Sequence, residues 1–273
     1  MDLMDALSSL LSAAGFRGNL QGTLLLFGLV MARLATAISF TPFLGGQAVP
    51  VQVRTGLAAV MAVLIVPQLT VPISPTPVFA LALLVKEVLL GAILGFLAQL
   101  IFLAVEMSGA LIDTQRGMNQ ISLYTPQLQG PASLLGMLLL QAALALFVTF
   151  DGHLYYLRAL TDSFTALPAA TLPSMSAGGL ALAELMLRLT ADLLVIAIRL
   201  AAPVLVALFL LDVTFGIFNR MAAQVPVHQE NQTSKALVSL LILLPLLPIL
   251  MTQLREWPLT LFQQISNLLA GFR

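Results

Sequence analysis

No cysteine occurs among the 273 residues, which excludes disulfides, thiolate metal sites and a cysteine nucleophile. Charge is scarce as well: 9% of residues are Asp, Glu, Lys or Arg, against about a quarter in a soluble domain. Twelve basic and twelve acidic side chains cancel, so no basic excess is left for a phosphate backbone, and nucleic acid is not expected as a partner. Histidine occurs only at His153 and His228, and neither has a second His or a carboxylate at metal-ligand spacing. The patterns G-x-S-x-G, Walker A, G-x-G-x-x-G and H-E-x-x-H are all absent. Asp151-Gly152-His153 closes an apolar run and reads as a loop cap rather than an acid–base set. Asp113 and Asp212 would make an intramembrane aspartate pair only if the fold joined them, and no motif does so. Neither an enzyme nor a cofactor is expected. Alternation of strand period is missing over any useful length, so the fold class expected is all-α.

What the sequence does have is apolar length. With 59% hydrophobic residues, it belongs to the membrane class. The opening "MDLMDALSSLLSAAGF" has acids where a secretory signal needs bases, so no cleaved signal is expected. Thr23 to Phe40 is long enough to span but holds Arg33, and Gly56 to Val66, between Pro50 and Pro67, is too short. Val88 to Val105 is interrupted only by Gln99, and Ala132 to Phe150 is the cleanest candidate span. Leu193 to Leu211 contains Arg199 and Pro203, and Ala236 to Met251 is expected to break at Pro245 and Pro248. Several of these helices are poor lone spans. Irregular backbone survives in lipid only where protein or a watery cavity satisfies it, so the chain is expected to sit in an assembly.

The charges fall on faces. On a helix from Val88 to Ser122, Gln99, Glu106 and Asp113 recur at a seven-residue interval and share one side, with Gly91 and Gly95 as a small-xxx-small pair nearby. Asp113 and Arg116 stand three apart, within reach of each other. Glu184, Arg188, Asp192 and Arg199 fall within about 80° on a helical wheel. Arg199 lies deepest in apolar sequence, and pairing with Asp192 or with a partner chain is expected.

Three stretches together resemble a known family. "KEVLLGAILGFLAQLIFLAVEMSGALIDTQRG" (Lys86 to Gly117) is similar to the longest motif of the T-type subunit of the type III secretion export apparatus. "GIFNRMAAQVPV...SK" (Gly216 to Lys235) resembles that family's Asn-Arg-x-Ala-x-Gln signature and following lysine, and "ARLATAISFTPFLGGQAVPVQVR" (Ala32 to Arg54) its N-terminal pattern. The Asp-Thr-Gln-Arg-Gly element is the most specific part, and its Asp-x-x-Arg leans to an injectisome rather than the flagellar counterpart. One departure is Pro226 with the polar run His228 to Thr233, where the family carries an apolar stretch; a water-exposed turn is expected there, with Lys235 opening the next helix.

The resemblance implies one integral membrane domain over residues 1–273: a polytopic bundle of kinked or broken helices and helical hairpins within a larger helical assembly. It implies a core component of the type III secretion export gate in the bacterial inner membrane, through which unfolded secreted proteins pass. Its partners would be the R-type and S-type subunits together with the large export-gate and switch subunits. The assembly or channel candidates are then Gln99, Glu106, Asp113, Gln115, Arg116, Arg199, Asn219, Arg220, Gln224 and Lys235. A secondary transporter is the rival class, against which stand the lack of an inverted repeat and the few polar residues for a solute site.

Overall fold

The computed structural model describes residues 20–46, 49–69, 76–118, 133–172, 175–221 and 228–270, with the side chains of 175–182, 228–229 and 258–270 outside that description. Every regular element among the described residues is a helix: α1 (Leu20–Phe40), the single turn α2 (Pro42–Gly45), α3 (Val51–Ile65, continued by a 3-10 turn Val66–Gln68), α4 (Pro77–Arg116), α5 (Leu134–Thr149), α6 (Gly152–Ala166), α7 (Met175–Met221) and α8 (His228–Ala270). Among the described residues five helices are long and apolar enough to cross a membrane, and α5 with α6 forms a further pair bent by 72°. The chain is a multi-pass membrane protein.

Two compact units make up the chain. The first comprises the described parts of Met1–Gln99, His153–Met186 and Pro258–Arg273, and the second comprises Leu100–Gly152 and Leu187–Trp257. In the first, α1 buries Leu26, Leu29, Val30, Leu34, Ala37 and Ile38, the three-and-four spacing of a helix with one covered stripe. That stripe meets α4 where α4 lacks side chains. A Cβ at Gly95 would stand 2.6 Å from the Ala37 carbonyl oxygen, and one at Gly91 would strike the Arg33 carbonyl. The small-xxx-small pair is used for close helix approach. Tyr156 of α6 closes the same core, donating to the Ala37 carbonyl at 3.0 Å and meeting the Phe43 ring edge-on at 5.2 Å.

In the second unit a like approach joins α4 to α5. A Cβ at Gly136 would lie 2.8 Å from the Glu106 carbonyl oxygen, and Phe102 meets Phe147 edge-on at 5.1 Å. The α4 helix ends at Arg116, earlier than the Ser122 read from the sequence. Gly117 takes φ 77°, and the Met118 amide reaches back to the Asp113 carbonyl at 3.1 Å, a left-handed glycine cap.

Four readings of the spans are corrected. Val51–Gln68 reaches 18 residues because Pro50 sits just before the helix and Pro67 in its terminal 3-10 turn, so neither shortens it. The cleanest apolar run yields only the 16 residues of α5, and the chain then turns at Asp151, whose φ of 58° is one that Asp tolerates better than most side chains. That residue is the corner which the Asp-Gly-His reading anticipated. In α8 the helix runs unbroken through Pro245 and Pro248, each proline forfeiting one backbone bond while its neighbours keep theirs. The run from His228 to Thr233 is helical rather than a turn. Pro226, outside the described residues, does not bar a helix that begins after it, and Glu230 in the first turn suits the positive helix end.

Candidate functional site

Hydrocarbon tolerates a charge only when another group answers it, and the five charged residues buried in the described chain, Arg33, Lys86, Glu87, Asp113 and Lys235, all have such an answer. They form a cluster in each unit.

The first cluster is centred on Glu87 of α4. Arg33 of α1 donates through Nε and Nη2 to the two Glu87 carboxylate oxygens, the Nη2 bond being 3.0 Å, and both side chains are fully buried. Through Nη1 it also donates to the Ser163 carbonyl and hydroxyl at 3.0 Å, and Nη2 reaches the Leu167 carbonyl at 2.9 Å. Its guanidinium lies 4.1 Å from the centre of the Phe164 ring. Lys86 touches Glu87 at 2.7 Å and donates to the carbonyls of Pro168, Ala169 and Thr171 at 2.9, 3.1 and 2.8 Å. These carbonyls follow the C-terminal end of α6, where backbone acceptors run out of helical donors and favour cations. Two cations and one carboxylate thereby tie α1, α4 and the chain leaving α6 into one knot.

The second cluster lies where α4, α5, α7 and α8 meet. Asp113 Oδ1 accepts from Arg116 at 3.2 Å, as the spacing predicts. Its Oδ2 accepts from the Ser133 hydroxyl and from the Leu135 amide, both at 2.8 Å, so Asp113 caps the start of α5 from another helix. Ser133 itself caps the Gly136 amide at 2.8 Å. Beside this, Asp212 of α7 receives Lys235 at 2.6 Å, Asn231 at 3.2 Å and Gln115 at 3.3 Å, while Lys235 also donates to the Gln115 carbonyl at 3.2 Å. Asp113 and Asp212 thus belong to separate bonding sets and form no aspartate pair.

Of the residues singled out in the sequence, Asp113, Gln115, Arg116 and Lys235 come together here. Gln99 and Glu106 are half-buried on α4 and join neither cluster, while Asn219 and Arg220 are exposed near the end of α7. Gln224 lies outside the described residues. Arg199 and Asp192 are both exposed, and no bond joins Arg199 to Asp192 or to any other described residue, which corrects the expected intrachain pair. The site candidates read from the sequence did not include Arg33, Lys86, Glu87, Ser163 or Asn231, although Arg33 was noted inside its span and Asn231 within the polar run. The available signal was charge inside an apolar run, namely Arg33 in α1 and the Lys86-Glu87 pair one residue before Val88.

No group of three or more His, Asp or Glu residues that could hold a metal ion occurs among the described residues. The bonds of both clusters join one element of the fold to another. Their functional meaning comes from comparison with known proteins. Residues 24–258 match the family described as bacterial export proteins, family 1. The flagellar biosynthetic protein FliR of Pectobacterium carotovorum subsp. carotovorum is 32% identical over 248 residues, 87% of this chain and 88% of that protein. FliR of Escherichia coli (strain K12) is 32% identical over 244 residues, 88% and 89% of the two chains. The Yop proteins translocation protein T of Yersinia pestis is 30% identical over 228 residues, covering 82% and 86%. The likeness carried by the three sequence motifs is borne out, and the chain belongs to family 1 of the bacterial export proteins.

Proposed function

We propose that this chain is the T-type subunit of a type III secretion export gate in the bacterial inner membrane, a wall of the passage that unfolded proteins cross. The observation that carries the reading is the fate of its buried charges. All five are engaged in bonds that tie elements of the fold together, so no buried charge among the described residues is left over for a small solute. Meanwhile only 33% of the most apolar window of α7 and 22% of that of α8 are covered by the chain itself. A solitary transporter gathers unsatisfied polar groups around a midplane site. A structural subunit spends them on rigidity and leaves long faces for neighbours. The R-type and S-type subunits, with the large export-gate and switch subunits, are the neighbours this reading supplies.

The Asp-x-x-Arg element at Asp113 and Arg116 favours an injectisome, while similarity to FliR over most of the chain keeps the flagellar system as the second reading. Deleting the gene in its own host and assaying the medium for injectisome substrates and for flagellin separates them. The proposal expects loss of the former with motility retained. Loss of flagellin alone assigns the chain to the flagellum, and loss of neither removes it from protein export.

A further inference from the structure

One face of α7 remains unexplained by either cluster. Viewed down the helix, Asp192, Val195, Arg199, Val206, Leu210 and Ile217 lie within about 40° of the Arg199 direction, and all of them are exposed. Four of the six are aliphatic, with 44% to 60% of their surface open. By composition this is a lipid face, yet it holds Arg199 between Asp192 and Asp212, in the middle of the helix's apolar stretch. Pro203 adds a second anomaly at the same level. It has no N–H to give to the carbonyl four residues back, and that carbonyl belongs to Arg199. Lipid would meet a cation and a bare acceptor at one point, both of which it solvates poorly.

A second copy of this chain does not solve the problem. Copies inserted with the same topology run their α7 helices parallel, so a two-fold axis along the membrane normal sets Arg199 against Arg199 and Asp192 against Asp192. Matching Arg199 to Asp192 between parallel copies would need a vertical offset of about 10 Å, seven residues of rise, which displaces one copy in the bilayer. An antiparallel pair would match both charges but requires opposite insertion.

We propose that this face of α7 docks a membrane helix of a different protein, one that carries an Asp or Glu at the depth of Arg199 and a hydroxyl or amide donor beside it for the Arg199 carbonyl. The partner's carboxylate answers the guanidinium, its donor answers the carbonyl that Pro203 leaves bare, and its apolar side chains cover Val195, Val206 and Leu210. The inference rests on the chain working within an export assembly and names the chemistry of one of its contacts.

The test places a photoreactive benzophenone amino acid at Val206, seven residues from Arg199 on the same stripe, in the full chain in native membranes. Illumination is expected to give an adduct with a second membrane protein, and peptide mapping should find an Asp or Glu about two helical turns from the attachment point, level with Arg199. Arg199→Leu should lower the adduct yield at least tenfold, while Arg199→Lys should lower it less than threefold. Because Arg199 bonds to nothing within the described chain, Arg199→Leu is expected to purify as a folded, monodisperse chain, which size exclusion verifies. An adduct of twice the chain's 29.1 kDa mass made of this protein alone overturns the proposal in favour of self-association. Adducts with lipid only, or a yield indifferent to Arg199→Leu, overturn it in favour of an arginine that reaches for the headgroups. A mapped carboxylate on a protein outside any export system would uphold this inference and refute the functional reading above.

Discussion

Replacing Glu87 with alanine removes the one carboxylate that both Arg33 and Lys86 share. In the native chain Glu87 accepts two bonds from Arg33 and touches Lys86 at 2.7 Å, with Arg33 and Glu87 wholly shielded from solvent. Stripping one member from such a buried set leaves uncompensated charge and costs about 3–5 kcal/mol. That lowers the folded-to-unfolded ratio by a hundredfold to a few thousandfold, at about 1.4 kcal/mol per decade. Arg33→Met in the same chain removes the stranded guanidinium and keeps an apolar side chain against Phe164. It leaves the Ser163 and Leu167 carbonyls without that donor, so rescue should be partial. The two single changes and the double change form a cycle whose interaction energy should be about 2 kcal/mol. Unfolding of the purified chain in mixed micelles by a denaturing detergent, followed by circular dichroism, reads each corner. A Glu87→Ala cost under about 1 kcal/mol, or strict additivity in the double variant, would refute the account of the knot.

Asp113→Ala should cost about 3 kcal/mol in the same assay, since the Leu135 amide loses its acceptor and Arg116 its partner, whereas Asp162→Ala, exposed on α6, should stay within about 0.5 kcal/mol. Equal effects of the two would reject the cap. Gly95→Ala should destabilise because its Cβ would press on the Ala37 carbonyl and Phe40 at 2.6 Å, while Gly28→Ala, with nothing within 4 Å, should be neutral or stabilising by up to about 1 kcal/mol. Parallel shifts in unfolding midpoint would argue against the close approach of α1 and α4. Asp212→Lys and Lys235→Asp should each lower the yield of folded protein, and together restore part of it; a double variant worse than either alone would show that the pair does not act as a pair.

The helical stripe of α1 and the Asp113–Arg116 pair were legible because both depend on spacing along one helix. What Asp113 does with its second oxygen was not, because the Leu135 amide lies 22 residues further on and belongs to another helix. The first cluster was missed for a related reason. Lys86 and Glu87 stand at the edge of the Val88 run and looked like its boundary, but α4 begins at Pro77 and places them inside a 40-residue helix. Proline was over-read as a helix breaker. Pro245 and Pro248 were read as breaks, although a long helix surrounded by intact bonds absorbs the loss of two. Arg199 shows the limit of charge patterning. Its neighbour on the helical wheel, Asp192, stands two turns away along the axis, and sharing a face did not bring the two together.

The central claim is that unfolded proteins pass along this subunit. It is tested most directly with a secreted substrate fused to a tightly folded C-terminal domain, so that it stalls in transit, and carrying a photoreactive residue in its unfolded portion. Illumination of intact cells should attach the substrate to this chain, and removing the substrate's export signal should abolish the adduct. A substrate that stalls in the apparatus and cross-links to other subunits at every labelled position, never to this one, would contradict the account.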